Sequence, residues 1–204
     1  MTVWDDLNAR SRGLSRHLLG RSTLERLARA PDLGALADEL RHLGYPLPAE
    51  GKPDGAAIEL AARRRVARQL AILARWAGVR RPALAILFED EDRRSIVALL
   101  RGAVQHAPPE LRLSGLMPTS ILPERALEEL SRQPTPAAVA SLLLAWDHPL
   151  SSALLPHTGD PEPDLLHLEI LLHRAFAERA HAAAKREGRH GPLVHYVERL
   201  IDLE

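Results

Sequence analysis

Apolar residues recur every three to four positions along almost the whole chain, and no stretch of useful length alternates with period two. That periodicity is the signature of amphipathic helices and argues against strands. Val3, Leu7, Leu14 and Leu18 share one face of a first helix, about Val3–Leu19. Ser22 and Glu25 have capping-box spacing and predict a short helix, Thr23–Arg29, ended by Pro31. Asp32 is placed to cap the next helix, Leu33–Leu43, which Gly44 stops. The Pro, Gly and Asp residues of segment 46–55 predict a loop. A long helix over about Ala57–Ala77 follows, with Ile58, Ala62, Val66, Leu70 and Leu73 as its apolar stripe.

The pattern then repeats. Residues 53–94 overlay 163–204 without a gap at an offset of 110, with nine identities in forty-two positions. Roughly three or four would arise by chance in a chain this rich in Ala, Leu and Arg. The punctuation stays in step: Pro53 with Pro163, Asp54 with Asp164, Gly78 with Gly188, Pro82 with Pro192, and Asp92 with Asp202. The second long helix should carry its stripe at Leu168, Leu172, Phe176, Ala180 and Ala183. Upstream, Leu27, Arg29, Pro31 and Leu40 match Leu130, Arg132, Pro134 and Leu143 at offset 103, and Ala9, Arg12, Gly13 and His17 match Ala98, Arg101, Gly102 and His106 at offset 89. The growing offset implies insertions in the second copy, one of them the Pro-rich stretch 107–123. A long-period repeat of this kind predicts an all-α chain of two related, stacked helical units, 1–97 and 98–204. Asp92 and Asp202 are expected to cap helices at the unit boundaries, which makes residue 204 the place where a third unit would begin.

Composition narrows the function classes. Lys and Arg total 27 against 27 Asp and Glu, so nothing in the net charge points to nucleic acid. The chain has no cysteine, which excludes disulfides and thiolate metal sites. MTVWDDLNARSRG lacks the apolar run of a signal peptide, and no apolar run approaches membrane-spanning length. The histidines at 167, 173, 181, 190 and 195 have neither i,i+4 pairing nor an HExxH motif, so no metal site is expected among them. Glu89, Asp90, Glu91 and Asp92 could attract a hard cation, but they lack EF-hand spacing, and capping accounts for Asp92. Arg63, Arg64, Arg65, Arg68 and Arg75 read as a solvated face or a protein interface. There is no P-loop, GxGxxG or GxSxG motif, so no catalytic residue and no cofactor is expected.

Five segments, in order along the chain, resemble one family. LNARSRGLSRHLL (7–19) and EDEDRRSIVALLRG (89–102) resemble the opening helix of the C subunit of the V/A-type rotary ATPases, the counterpart of the eukaryotic d subunit. GLMPTSILPERALEEL (115–130) resembles the family's Gly/Pro turn before a short helix pair, HPLSSAL (148–154) the segment after it, and LVHYVERLIDLE (193–204) the lead-in to the next acidic helix start. The resemblance implies an all-helical, funnel-type subunit without catalytic activity, acting as a socket at the foot of the central stalk. Its implied partners are the rotor shaft subunits and the membrane rotor ring, with no nucleic acid and no membrane span. Its implied role is to couple them for ATP-linked proton or sodium transport, in the cytoplasm at the inner membrane. The family has three units and this sequence has two, so a truncated or short form is expected, able to self-associate through the exposed repeat edge. Arg10, Arg12 and Arg101 on the motif helices are candidate interface residues, with ion pairing between repeats as the alternative role. The alternative function is a free-standing helical-repeat adaptor for an unrelated protein.

Overall fold

Helices account for the regular structure of the chain, and no strand occurs among the described residues; the fold is all-α. The structure is a computed structural model that describes residues 4–48, 53–78, 81–157, 159, 164–187 and 192–202, the side chains of 81–83, 157, 187, 192 and 202 excepted. The chain divides into two compact units, 1–78 and 79–204.

The first unit contains α1 (Asp5–Ser15), α2 (Arg21–Ala28), α3 (Leu33–His42) and α4 (Gly55–Ala77). Asp32 caps α3 by accepting from the Ala35 amide at 2.8 Å, and Asp54 caps α4 by accepting from that of Ala57 at 2.8 Å. Ser22 and Glu25 do not form the expected capping box. The helix begins one residue before Ser22, with Gly20 in the cap position, and Glu25 pairs instead with Arg21 one turn back. Gly44 ends the α3 turn at φ +79°, the left-handed region that glycine enters without the strain a Cβ brings. Leu7, Leu27, Ala37, Leu40, Ala61, Ala74 and Ala77 are buried in this unit. The expected α4 stripe is only partly realised, since Val66 is 44 % exposed and alanines take the buried positions.

The second unit contains α5 (Arg81–Val104), α6 (Pro109–Leu113), α7 (Glu124–Ser131), α8 (Pro136–Ala145), two short 3₁₀ turns at 151–153 and 155–157, α9 (Leu165–Glu187) and α10 (Pro192–Asp202). Helix α5 packs against α6, α7, α8 and α9, and α10 lies on α9. Ile96, Leu99 and Leu100 of α5 meet Leu127, Leu130, Val139, Leu143, Leu168, Leu172 and Phe176 in one apolar core. The expected α9 stripe is buried at Leu168, Leu172, Phe176 and Ala180, with Ala184 in place of Ala183 closing it.

Helix bounds keep the sequence offsets. Arg21–Ala28 and Glu124–Ser131 lie 103 positions apart at both ends, as do Leu33–His42 and Pro136–Ala145, while Gly55–Ala77 and Leu165–Glu187 lie 110 apart. The caps follow: Thr135 accepts from Ala138 as Asp32 does from Ala35, and Asp164 accepts from Leu166 and His167 at the place of Asp54. Asp147 stands in for Gly44 at φ +52°, and the same closing bond spans each turn, Tyr45 to Leu40 and His148 to Leu143, both at 3.0 Å.

The expected division at 97/98 falls inside α5, and the compact units part instead at 78/79. Segment 82–92 corresponds to α10 and 94–104 to α1, and here the two run together as one unbroken helix. Asp92 is therefore not a helix cap. No Gly or Pro stands between Ala83 and Gly102 to break the turn, so the helix continues straight through it. The backbone of Asp202 ends α10; its side chain, with Val3, Pro163, Gly188 and His190, lies outside the described residues.

Gly102 and Gly13 occupy matched positions with opposite demands. A Cβ on Gly102 would sit 2.7 Å from Arg112 Cγ, whereas one on Gly13 meets nothing within 4 Å. Gly102→Ala is expected to lower stability by ~1–3 kcal/mol through overpacking. Gly13→Ala, within α1, is expected to raise it by ~0.5–1 kcal/mol. Urea midpoints of the two variants test this; equal shifts of one sign would contradict it.

Candidate functional site

The acidic stretch of α5 and the helix that follows it place a row of ionic side chains inside the second unit. Glu89, Asp90, Asp92 and Arg93 are all buried, Asp92 completely. Buried charges persist only when paired and hydrogen-bonded, and each of these is. Glu89 accepts both arms of the Arg179 fork at 2.8 Å. Asp90 accepts from Arg93 Nη2 at 2.7 Å and pairs with Arg94 at 2.9 Å. Arg93 Nη1 donates to His173 Nδ1 at 2.8 Å, and its guanidinium lies 5.3 Å from the Phe176 ring centre. The Arg179 fork leaves no room for the cation-site reading of Glu89, and the same holds for Asp90 between two arginines. Among the described residues no group of His, Asp and Glu is placed to hold a metal.

Asp92 joins three segments of chain. Thr119 Oγ1 donates to Asp92 Oδ1 at 2.6 Å and accepts from the Leu122 amide at 2.9 Å. His148 Nε2 lies 3.4 Å from Asp92 Oδ2, and its Nδ1 accepts from the Leu150 amide at 3.2 Å. With Nδ1 occupied as acceptor, the ring hydrogen belongs on Nε2, facing the carboxylate. The segments 89–102, 115–130 and 148–154 thus meet at one carboxylate. Thr119 and His148 are the partners that sequence reasoning does not pick out. A buried Asp needs donors, but nothing in the sequence says which ones.

Helices α5 and α9 run antiparallel, since pairs that touch have rising numbers on one and falling numbers on the other: Glu89 with Arg179, Arg93 with His173, Arg101 with Glu169. Arg101 makes a two-armed bond to Glu169 at 2.6 and 2.7 Å. That hydrogen bond holds the Glu169 carboxyl below the usual carboxylate range, against the opposing effect of burial. Both partners lie in the second copy, so Arg101 bridges helices within a repeat and not between repeats. Arg10 places its guanidinium 5.5 Å from the Trp76 ring centre within the first unit. Arg12 is exposed in the last turn of α1. Of the Arg-rich face on α4, Arg65 turns inward. It donates to the Leu43 and Gly44 carbonyls at 3.0 Å and stacks 4.6 Å from the Tyr45 ring centre.

Arg112 is the other internal cation. It is 9 % exposed, and its guanidinium donates to the carbonyls of Ala107, Ser131 and Gln133, at the carboxyl ends of α5 and α7. The absent Cβ of Gly102 lets its stem pass across α5. Alongside, Arg93, Arg94, Arg101, Arg112 and His173 line a cleft of about 480 Å³.

Glu91 is the acidic residue left over. Burial pushes its carboxyl above the usual range, Asp90 and Asp92 add to this, and Arg94 opposes it. An acid raised by folding favours the native state below its unfolded value, and that advantage is lost as pH rises through the raised value. Glu91→Gln is therefore expected to stabilise the protein at neutral pH, with the gain shrinking as pH falls through the raised value and gone by about pH 3, below the ordinary glutamate value of ~4.3, where the carboxyl is protonated in both states. Asp92→Asn is expected to cost ~1–3 kcal/mol, because Thr119 and His148 reach different oxygens of the carboxylate and the amide replaces one of them with an NH2, setting donor against donor in a buried place. Urea denaturation as a function of pH checks both; a Glu91→Gln gain that persists undiminished at low pH would refute the first.

No helix among the described residues is long and apolar enough to cross a membrane. No curated protein and no solved structure matches the chain. The sequence model of one family, described as ATP synthase (C/AC39) subunit, matches residues 7–204. That span takes in all three segments that meet at Asp92, and the chain belongs to this family of non-catalytic V/A-type rotary ATPase subunits.

Proposed function

We propose that this chain is a coupling piece of a rotary ATPase central stalk, a socket that receives the rotor shaft and bears on the membrane rotor ring. Torque from ATP hydrolysis, or from proton or sodium flow, would pass through it. The observation that carries this reading is the family match across residues 7–204. In this reading the chain sits on the cytoplasmic side of the membrane, held there by protein contacts.

The construction of the second unit supports a mechanical role. Apolar ridges alone let packed helices slip by a turn, because the next groove looks like the last. Directional bonds remove that degeneracy. Glu89–Arg179, Arg93–His173 and Arg101–Glu169 are three polar rungs between α5 and α9, and they accept one axial register. A joint that must carry load without sliding needs such rungs. Of the three candidate arginines, Arg12 on exposed α1 can meet another subunit without giving up an internal partner among the described residues, whereas Arg10 and Arg101 would have to exchange theirs.

Co-expression of the tagged chain with the ATPase subunits encoded in its source genome is expected to recover shaft and ring subunits in fixed ratio. Arg12→Glu is expected to reduce that recovery without changing the melting temperature. A chain that always elutes alone would sink the proposal.

A further inference from the structure

The cleft beside Arg112 has an unusual lining. Arg93, Arg94, Arg101, Arg112 and His173 face it; no carboxylate is among the described residues that line it, and the acids paired with Arg94 and Arg101, Asp90 and Glu169, stand outside the lining. Among the described residues Arg112 bonds to carbonyl oxygens and to no carboxylate. Arg101 is 56 % exposed, and Glu169 takes its Nε and Nη2 while Nη1 has no partner among the described residues. Leu111, at the same cleft, is 63 % exposed, an apolar side chain held out in water beside a cationic wall.

Spacing decides what kind of anion fits. Arg94 and Arg101 lie seven residues apart on α5, two turns, or ~10 Å along the axis. A lone phosphate cannot bridge that distance, whereas two carboxylates about three extended residues apart can. Proteins that bind single-stranded nucleic acid combine a positive groove with aromatic rings on which the bases stack. No aromatic residue is among the described residues lining the cleft.

We propose that the cleft between α5, α6 and α9 docks a protein segment bearing spaced carboxylates beside an apolar side chain, the carboxylates on Arg94 and Arg101 and the apolar group on Leu111. This rests on the coupling reading only for its claim that the segment belongs to a neighbouring subunit. Internally, Glu169 occupies Arg101 and Asp90 pairs with Arg94 as docked carboxylates would, so the segment competes with an internal acid at each guanidinium.

The test is fluorescence anisotropy of a labelled short peptide of glutamate and leucine with the full chain, against its glutamine counterpart. The glutamate peptide is expected to bind at least ~10-fold tighter, with Arg101→Gln weakening it ~5-fold as a charge-assisted bond is lost. Leu111→Ser should weaken it too. Glu169→Gln is expected to tighten it ~3-fold by releasing Arg101 from an exposed pair; a purely structural role for the pair predicts no gain. Melting curves confirm that each variant is folded. Equal binding of the two peptides, indifference to Arg101→Gln in a folded variant, displacement by equimolar inorganic phosphate, or tighter binding of a single-stranded oligonucleotide would each overturn the proposal. If the peptide fails to bind while the chain still co-elutes with ATPase subunits, docking at this cleft falls and the coupling role stands. If the peptide binds to a chain never recovered with those subunits, docking stands and the coupling role falls.

Discussion

The Asp92 carboxylate is the constraint around which the second unit is assembled. It is fully buried, and a buried carboxylate is tolerable only when its donors are in place. Those donors come from two loops that the helices alone would leave free: Thr119, ahead of α7, and His148, behind α8. Satisfying one charge therefore fixes where both connections lie against α5. The apolar core then fills in around that frame, with Leu122 and Leu150, neighbours of the two donors, fully buried beside Ile96 and Leu99. Directional polar bonds specify the arrangement, and apolar burial supplies most of the stability.

Arginine is the working joint elsewhere. The chain has only two lysines, and the structure uses properties lysine lacks. Arg112 reaches three carbonyls at the ends of two helices, where the dipole favours a cation. Arg65 does the same for α3 while stacking on Tyr45. Arg93 divides its fork between Asp90 and His173 and lays its plane near Phe176. The same composition that reads as a solvated basic face in a linear sequence becomes a set of internal ties.

What is legible in the sequence divides along physical lines. The α9 stripe is legible because Leu168, Leu172 and Phe176 are large, and only burial explains large apolar groups in step. The α4 stripe is less so: Val66 fits the periodicity but stays exposed, and alanines, too small to signal burial, take the inside. Caps at Asp32 and Asp54 are legible because a cap is a local bond across three residues. Asp92 misleads for the complementary reason. An aspartate that caps and one that is buried look alike until their partners are known, and those partners are 27 and 56 residues away. Arg101 stands out in the sequence, but its partner, Glu169 on α9, is visible only once the antiparallel register is known.

The unbroken α5 carries a consequence for how this chain can change. The offset between the two copies grows from 89 to 103 to 110, and it grows in the connections, while paired helices keep equal lengths. Inside α5 no such drift is open. One residue added after Asp92 would turn everything beyond it by ~100° and advance it ~1.5 Å. Asp92 would still face its loops while Arg101 swung away from Glu169. The helix thus works as a screw thread cut to one phase: its length is set by angle as strictly as by distance, and the loops are where this architecture keeps its freedom to evolve.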